Sequence, residues 1–250
     1  MNEAILQSIL CHERPAVTYT HPIVGLKDGV TVAKEILTRF ATASGAMRTV
    51  GDLLVDMTLA PESRIRLDLL CLGAIFTTLA NHPITDHLIF VNLDPLTLEA
   101  PGFWFQLEPW LWNLSIPPHR IVFEITESYS RHDLSQMEFF SKRLRALGLR
   151  IAVDDLGSGI ASLAHMSRLS PDFFKVDKSL VQDVHRRPYQ AALLNALSVF
   201  ADRMGVGYIV EGIETPEELQ AVIDADVPWG QGFIFGEPQP LVFPVGADAF

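Results

Sequence analysis

The sequence predicts an α/β fold, a modified TIM-type (β/α)8 barrel that begins with an antiparallel strand pair. Eight strand-like runs follow one another along the chain, and most are short and apolar. Helical patterns separate most of these runs, which is typical of parallel strands buried on both faces. Polar residues stand near the C-terminal ends of several runs, where barrel enzymes carry their chemistry. A doubly wound open sheet is the alternative, but the positions of the polar residues favour the barrel.

The first elements depart from strict alternation. A helix is expected near residues 2–11, and the extended runs AVTYTHPIVGL and VTVAKEILTRF follow it. Lys27-Asp28-Gly29 lies between these two runs and looks like a hairpin turn, so the first two strands are expected to be antiparallel. A helical region is then predicted near residues 48–80.

The second part of the chain alternates regularly. Strands predicted from HLIFVNL, HRIVFEIT, LRIAVDD, DFFKVD, VGYIVEG and WGQGFIF alternate with helices near residues 133–147, 188–205 and 216–225. No linker, low-complexity segment or fixed-period repeat divides the sequence. We therefore expect one domain over residues 1–250, with an N-terminal helix at 1–14, the barrel at 15–241 and a C-terminal tail at 242–250.

Composition excludes several classes of protein. The chain has 250 residues, of which 48% are hydrophobic, so it can bury the core of one barrel-sized domain. A formal net charge of -11 argues against binding to polymeric nucleic acid, which requires a basic surface. Cys11 and Cys71 are the only cysteines and form no CxxC pattern, which indicates a reduced compartment. The longest apolar stretch, near residues 69–80, is too short to span a membrane and the N-terminus lacks a basic leader, so we expect a soluble cytoplasmic protein.

Two adjacent aspartates, Asp154 and Asp155, stand at the end of an apolar strand in IAVDDLGSG. Adjacent carboxylates repel, so a folded site must offset the repulsion by proton sharing, a basic partner or a bound cation. Period-two alternation puts Glu35 and Arg39 on one side of their strand. Other polar residues near strand ends are expected at the same rim, namely Asn92, Glu124, Glu127, Lys175, Asp177, Glu211, Glu214 and Gln231.

The donor chemistry of this rim indicates a metal site. Five carboxylates and one amide oxygen come from Glu35, Asn92, Glu124, Asp154, Asp155 and Glu211. Hard oxygen donors suit Mg²⁺, Mn²⁺ or Ca²⁺ rather than zinc, which more often takes His or Cys ligands. Two such cations about 4 Å apart can stabilise the attacking and leaving oxygens of an in-line displacement at phosphorus. Lys175 would add a cation that orients a water or meets a phosphate oxygen.

Seven short motifs occur along the chain in a distinctive order. EILTR at residues 35–39 is followed by VNL, FEITES, DDLGSG, KVDKS, VEGIET and QGFIFGEP. This set resembles the EAL family of bacterial cyclic di-GMP phosphodiesterases, in which EALxR is the signature of the first motif. The resemblance extends from THPI at residue 20 to GEPQPL ending at residue 241. It implies a modified barrel and hydrolysis of cyclic di-GMP to linear pGpG, with two Mg²⁺ or Mn²⁺ ions as cofactors.

The resemblance also implies a role for each candidate residue. The implied primary metal ligands are Glu35, Asn92, Glu124 and Asp154, with Asp155 on the second ion and Asp177 as a further member of the metal shell. Lys175 and Glu211 would hold and activate the attacking water, with Gln231 in support. Substrate binding would fall to Arg39, a phosphate contact, and to His21, which stands where the family often has glutamine.

The loop and its partners follow from the same resemblance. Residues Gly157, Ser158 and Gly159 belong to the DDLGSG loop, which in the family couples dimer contacts to the metal site, and Glu127 and Glu214 resemble residues that fix its conformation. The expected partners are cyclic di-GMP, a second copy of the chain and a regulatory protein. The sequence departs from the family at Ile36, where the family has alanine, at Ile160, where it often has tyrosine, and at Glu237, where it often has arginine. Residues 41–64 also match the family poorly.

Three functions remain open at this point. The first is an active phosphodiesterase. The second is a catalytically weak or inactive receptor that binds cyclic di-GMP and signals through a protein partner, and the third is a regulatory protein that keeps the fold without nucleotide. Every metal and water-activating position implied by the resemblance is filled, which favours the enzyme.

Overall fold

The computed structural model describes residues 8–9, 16–41, 46–51, 60–84, 86–126, 134–157 and 169–241. Its strands are β1 Ala16–Gly25, β2 Thr31–Ala41, β3 Met47–Thr49, β4 Leu88–Asn92, β5 Ile121–Thr126, β6 Arg150–Leu156, β7 Phe173–Val176, β8 Gly207–Val210, β9 Trp229–Gly230 and β10 Gln239–Pro240. Its helices are α1 Pro61–Asn81, α2 Pro95–Glu99, α3 Pro101–Trp112, α4 Leu134–Ala146, α5 Pro188–Met204 and α6 Pro216–Asp224. Short 3-10 segments occupy Pro118–Arg120, Lys178–Leu180, Val184–Arg186 and Phe233–Phe235.

Eight strands close into a barrel in the order β1, β9, β8, β7, β6, β5, β4 and β2, and β2 pairs with β1 to complete the ring. The strands from β2 through β4 to β9 are parallel, whereas β1 is antiparallel to both of its neighbours in the ring. The predicted modified barrel is confirmed, and the open-sheet alternative is wrong. β3 and β10 lie outside the ring on β2 and β1.

The hairpin expected at the start of the barrel is confirmed. Gly29 has a left-handed φ of 71°, and its amide donates to the Gly25 carbonyl at 2.8 Å. The Gly25 amide in turn donates to the Val30 carbonyl at 2.8 Å, which closes the turn. Glycine carries no Cβ and adopts this conformation without steric cost, so the sequence Lys27-Asp28-Gly29 folds readily into the turn.

The helical region predicted near residues 48–80 is wrong at its start. Residues 47–49 form β3, which pairs with the free edge of β2, whereas residues 50–51 are helical and α1 begins at Pro61. Residues 52–59 lie outside the described residues. Proline suits the first turn of a helix because the amide that it lacks has no helical acceptor there. α2 and α3 were not predicted, and both likewise begin with proline, at Pro95 and Pro101.

The described residues cover little of the two ends of the predicted domain. Of the expected N-terminal helix at 1–14, only residues 8–9 are described, and both are helical. Ile9 is fully buried and packs with Phe40, Leu67 and Cys71. The expected C-terminal tail at 242–250 lies outside the described residues. None of the described helices combines the length and apolar character needed to cross a bilayer.

The core has an inner and an outer layer. Inside the barrel, each of the eight ring strands contributes at least one apolar residue to a single cluster, which includes Ile23, Ala33, Phe90, Val122, Ala152, Phe173, Ile209 and Trp229. Phe173 lies at its centre, with Phe90 edge-on at 5.2 Å and Trp229 stacked at 5.5 Å between ring centroids. The opposite strand faces pack under the helices, where Ile36 joins Leu72 and Ile75. The departure from the family at Ile36 therefore lies in the outer layer and leaves the barrel interior unchanged.

The fit of Phe173 against β8 gives a test of this packing. A Cβ at position 207 would collide with the Phe173 ring, so Gly207→Ala should lower the free energy of unfolding by about 1–3 kcal/mol. Gly102→Ala is the matched control, because a Cβ there meets nothing closer than Gln106 Nε2 at 3.9 Å. Urea unfolding followed by circular dichroism measures both variants, and equal midpoints for the two would contradict the packing described.

Candidate active site

A ring of polar side chains lies directly above the apolar layer. Side chains two positions apart on a strand point to the same face, so each polar residue shares the inward direction of its apolar neighbour. Seven members follow that neighbour by two positions, namely Glu35, Asn92, Glu124, Asp154, Lys175, Glu211 and Gln231. His21 precedes Ile23 by two positions because β1 runs in the opposite direction. Every ring strand, or for Glu211 and Gln231 the residue directly after the strand, thus places one predicted site residue at the same end of the barrel.

Lys175 is the positive centre of this ring. Its side chain is 1% exposed, and Nζ lies 2.6 Å from Glu124 Oε1, 3.7 Å from Asp154 Oδ1 and 3.9 Å from Glu35 Oε2. Nζ also forms a close ion pair with Glu211 Oε1. Burial by itself lowers the pKa of Lys175, but the four surrounding carboxylates raise it well above its ordinary value. Lys175 therefore stays charged inside the barrel.

The carboxylates outnumber the cation that balances them. Burial raises the pKa of Glu124 well above its ordinary value, and Lys175 offsets this rise only in part. Burial likewise raises the pKa of Asp154, and it raises the pKa of Glu211 to about 8. Glu124 Oε2 is buried and has no hydrogen-bond donor among the described residues. One ammonium group cannot balance all of these carboxyl groups, so the three groups hold their protons more tightly than usual unless a further positive charge is present.

Glu35 is held by amide groups on both of its oxygens. Asn92 Nδ2 donates to Oε1 at 3.0 Å, and Gln231 Nε2 donates to Oε2 at 2.8 Å. Burial by itself raises the pKa of Glu35, but Lys175 and these two hydrogen bonds outweigh it and lower the pKa below its ordinary value. Glu35 is therefore ionised, with its carboxylate fixed in orientation.

His21 lies next to Gln231 at the antiparallel seam of the barrel. Its Nδ1 is 2.9 Å from Gln231 Nε2, and its Nε2 is 3.1 Å from the Gly236 carbonyl oxygen. Burial is the main cause that lowers the pKa of His21 below its ordinary value. Both ring nitrogens thus face protein groups. Gln231 Oε1 is also buried, but no described residue donates to it.

The adjacent aspartates form the part of the site best suited to a cation. Carboxylate oxygens of Asp154, Asp155 and Glu211 lie within 4.8 Å of one another. Successive strand residues normally point to opposite faces, but Asp155 has a left-handed φ of 60°, which breaks the alternation. Its amide donates to Asp154 Oδ1 at 2.9 Å. An all-oxygen set of three carboxyl groups is chemically suited to Mg²⁺ or Mn²⁺, so the residues fit the predicted metal.

Other predicted site residues lie around the ring. The Arg39 guanidinium stacks 4.4 Å from the centroid of the Tyr19 ring. Asp177 Oδ1 accepts from the Ser179 amide at 2.9 Å, and its carboxylate is not in the three-residue group above. The Glu214 side chain is exposed, and Gly157 has a left-handed φ of 103°. The roles assigned to these residues stay predictions, and Glu127, Ser158, Gly159 and Ile160 lie outside the described residues.

Sequence reasoning missed a cavity of about 480 Å³ beside the ring, between β2, β3 and α1. Asn92 and Asp155 form one wall, and Arg39, Arg64 and Asp68 are among the other lining residues. Burial is the main cause that raises the pKa of Asp68 to about 7. One feature of the sequence indicated this cavity, namely a single acidic residue, Asp68, in the otherwise apolar run LDLLCLGAIF. An acidic side chain in such a run needs a polar partner or a cavity when the helix packs.

A second acid links this cavity to the strand ends. Asp94 Oδ2 accepts from Arg64 Nε at 2.9 Å and from Nη2 at 2.7 Å. Asp94 Oδ1 caps α2 through the Leu96 amide, and the Asp94 amide donates to Asp68 Oδ2 at 3.2 Å. These bonds tie α1 to the segment that follows β4, so the polar wall of the cavity is fixed relative to Asn92.

Comparison with known proteins identifies relatives of this chain. A family model described as the EAL domain matches residues 3–238. The probable cyclic di-GMP phosphodiesterase PdeA of Escherichia coli is 28% identical over 209 residues, which are 83% of this chain and 28% of that protein. The chain spans between 19% and 28% of the length of three curated relatives that it matches.

Two solved structures have the same fold. YkuI of Bacillus subtilis, solved in complex with substrate c-di-GMP and calcium, has a TM-score of 0.82 and 25% identity, over 97% of this chain and 60% of YkuI. BlrP1 of Klebsiella pneumoniae, solved as a manganese and cyclic di-GMP complex, has a TM-score of 0.79 and 27% identity, over 90% of this chain and 56% of BlrP1. Both relatives hold a cyclic dinucleotide together with a divalent cation.

Asp68 gives a pH-dependent test of the cavity wall. The folded protein binds the Asp68 proton more tightly than the unfolded chain does, because the pKa rises from 3.8 to about 7. The stabilisation is full at pH values below 3.8 and is lost as the pH rises through about 7. Asp68→Asn cannot ionise, so its free energy of unfolding should increase relative to that of the parent over this range.

Urea unfolding at a series of pH values measures this difference. Asp202→Asn is the matched control, because it makes the same change on an exposed side chain outside the cavity. Parallel curves for Asp68→Asn and the parent would contradict the environment described for Asp68.

Proposed function

The chain belongs to the EAL domain family, and on that premise we propose that it hydrolyses one phosphodiester bond of cyclic di-GMP to give linear pGpG. The observation that carries this proposal is the ring at the mouth of the barrel, in which four acidic side chains surround the single ammonium group of Lys175. Names of relatives as cyclic di-GMP phosphodiesterases and the complexes of YkuI and BlrP1 support it.

Divalent cations fit this ring as cofactors. Two ions, Mg²⁺ or Mn²⁺, would be held by residues from Glu35, Asn92, Glu124, Asp154, Asp155 and Asp177, with Glu211 nearby. When bound, they supply positive charge that stabilises the attacking and leaving oxygens at phosphorus and lowers the pKa of water. Their charge would also relieve the repulsion among the ring carboxylates.

Glu211 and Lys175 are suited to activate the attacking water. The Glu211 side chain is 22% exposed, whereas that of Glu124 is fully buried, so water can reach Glu211. In the proposed step the water oxygen bonds to phosphorus while Glu211 takes its proton and Lys175 keeps the carboxylate in place. The bond from phosphorus to the ribose 3′ oxygen breaks, that oxygen takes up a proton from solvent, and Glu211 releases its own proton to solvent. Gln231 supports the site through its hydrogen bond to Glu35.

The cavity beside the ring offers room for one nucleoside half of the substrate. Arg39 lines it and supplies a positive charge for a phosphate oxygen, which helps an acidic protein hold a dianion. Arg64, Asp68 and Asp94 provide donors and acceptors for the polar edge of a base. Cytoplasmic location, a homodimer and control by a regulatory protein remain further proposals that the resemblance implies.

Incubation with cyclic di-GMP and Mg²⁺ or Mn²⁺, with products resolved by chromatography, tests the proposed function. The parent should release the linear dinucleotide, and Glu35→Ala, which removes a carboxylate held by two amides, should not. If the parent binds cyclic di-GMP without turnover, the receptor is the better description. If it neither binds nor hydrolyses the nucleotide, both functions are wrong.

Glu211→Gln tests the step that activates water. Glutamine keeps the size of the side chain but cannot take a proton, so kcat should fall about 10²–10⁴-fold while nucleotide affinity changes little. Glu217→Gln is the matched control, since it removes an exposed carboxylate at the start of α6 and should leave kcat unchanged. Parent-like turnover by Glu211→Gln would exclude the role assigned to Glu211.

A further inference from the structure

We infer that His21 is a positioning residue, which fixes the Gln231 amide and through it the orientation of the Glu35 carboxylate. His21 would thus control the affinity of the site for a cation that it does not bind itself. The part of this inference that concerns the cation rests on the proposed function. The hydrogen-bond chain from the Gly236 carbonyl through His21 and Gln231 to Glu35 stands independently of it.

His21 occupies a gap in the backbone pairing of the barrel. β1 pairs with β9 only at Val24 and Gly25, and with β10 only at Tyr19 and Thr20. Between β9 and β10, residues 231–238 leave the sheet and include the 3-10 segment Phe233–Phe235. His21 lies opposite this excursion and contacts both its first residue, Gln231, and Gly236 near its end. At the level of the polar ring, the seam between β1 and the chain after β9 is therefore closed by the His21 side chain.

The chemistry of the groups at each end determines the direction of the hydrogen bonds that link Glu35, Gln231, His21 and Gly236. The ionised Glu35 carboxylate can only accept, so the Gln231 atom at 2.8 Å from it is the amide nitrogen. That same nitrogen lies 2.9 Å from His21 Nδ1, which must then accept its second hydrogen. His21 Nε2 consequently carries the ring proton and donates it to the Gly236 carbonyl. One neutral tautomer satisfies all three contacts.

Burial makes this chain difficult to replace with water. His21 is 9% exposed and Gln231 is 2% exposed, and the Phe233 ring lies 6.3 Å from the His21 ring. Without an acceptor at position 21, one amide hydrogen of Gln231 would be buried without a partner. The Gln231 amide would then turn away from Glu35, and one of the two bonds that orient this carboxylate would be lost.

This role differs from the substrate contact that the sequence position predicted for His21. Both ring nitrogens already have protein partners, whereas Arg39, the other predicted substrate contact, lines the cavity. The family often has glutamine at this position, and a single rigid imidazole here accepts from Gln231 and donates to Gly236. Residues that orient a metal ligand typically change metal affinity by about 10–100-fold when they are removed.

Three substitutions at position 21 test the hydrogen bonds of the imidazole to Gln231 and to Gly236 one at a time and together. His21→Asn can place an oxygen near the position of Nδ1 and keep the acceptor for Gln231, whereas His21→Gln can keep the donor toward Gly236. His21→Phe keeps the ring volume and removes both bonds. Ile23→Val is the matched control, because it loosens the apolar layer on the same strand without touching the hydrogen-bond chain.

Calorimetric titration with Mn²⁺ alone, without nucleotide, measures the effect on the site. We expect His21→Phe and His21→Gln to weaken Mn²⁺ binding by about tenfold or more, and His21→Asn and Ile23→Val to stay within about threefold of the parent. Parent-like affinity in His21→Phe would overturn the inference. Equal weakening in Ile23→Val would assign the effect to general loosening of the fold and would overturn it as well.

Nuclear magnetic resonance tests the chain without any cation. Proton–nitrogen correlation spectra of the metal-free parent should show the Nε2-protonated tautomer of His21 and distinct, slowly exchanging Gln231 amide hydrogens. A spectrum of the Nδ1-protonated tautomer would contradict the hydrogen-bond chain from Gly236 to Glu35.

If the parent binds Mn²⁺ but does not hydrolyse cyclic di-GMP, the proposed function fails, while the Mn²⁺ affinities of the variants still decide the role of His21. If the parent binds no Mn²⁺, the inferred control of cation affinity is overturned together with the cofactor proposal.

Discussion

The ammonium group of Lys175 is the interaction on which the rest of the site depends. It lies inside the barrel among carboxyl groups from four other strands, and it offsets part of the rise that burial causes in the pKa of Glu124, its fully buried partner. Removal of one partner from a buried ion pair typically costs about 3–5 kcal/mol, because the remaining charge is left uncompensated. The positive charge of Lys175 nevertheless falls short of the negative charge around it. Stability of the rim and affinity for cations are therefore two results of the same electrostatic imbalance.

This imbalance can persist because the barrel below the ring is filled. Phe90, Phe173 and Trp229 pack around the axis and leave the charged groups on an apolar floor. Charges interact more strongly beside such low-dielectric material than they do in water, so a few ångströms of displacement in the ring have large energetic effects. The hydrogen bonds that fix Glu35, and the left-handed turn that brings Asp155 beside Asp154, restrict these displacements.

Much of this arrangement could be predicted from the sequence, because strand periodicity alone decides which side chains face inward. The eight ring strands and the members of the polar ring follow from that rule. β3 could not be predicted in the same way, since three residues carry almost no periodic signal and their position depends on the free edge of β2. The cavity acid Asp68 depends on how α1 packs, and the contacts of His21 join residues 210 and 215 positions apart. Such contacts are fixed by the closure of the barrel and leave no local trace in the sequence.

The constant spacing of two residues between the apolar layer and the polar ring also restricts how the chain can change in length. Each ring member is oriented by its own strand, so the loops above can gain or lose residues without moving it. A one-residue insertion within a strand would instead send every following side chain to the opposite face. The ring member would then point toward the outer helices, and an apolar neighbour would replace it inside. Length changes that preserve the chemistry are thus confined to the segments outside the short strands.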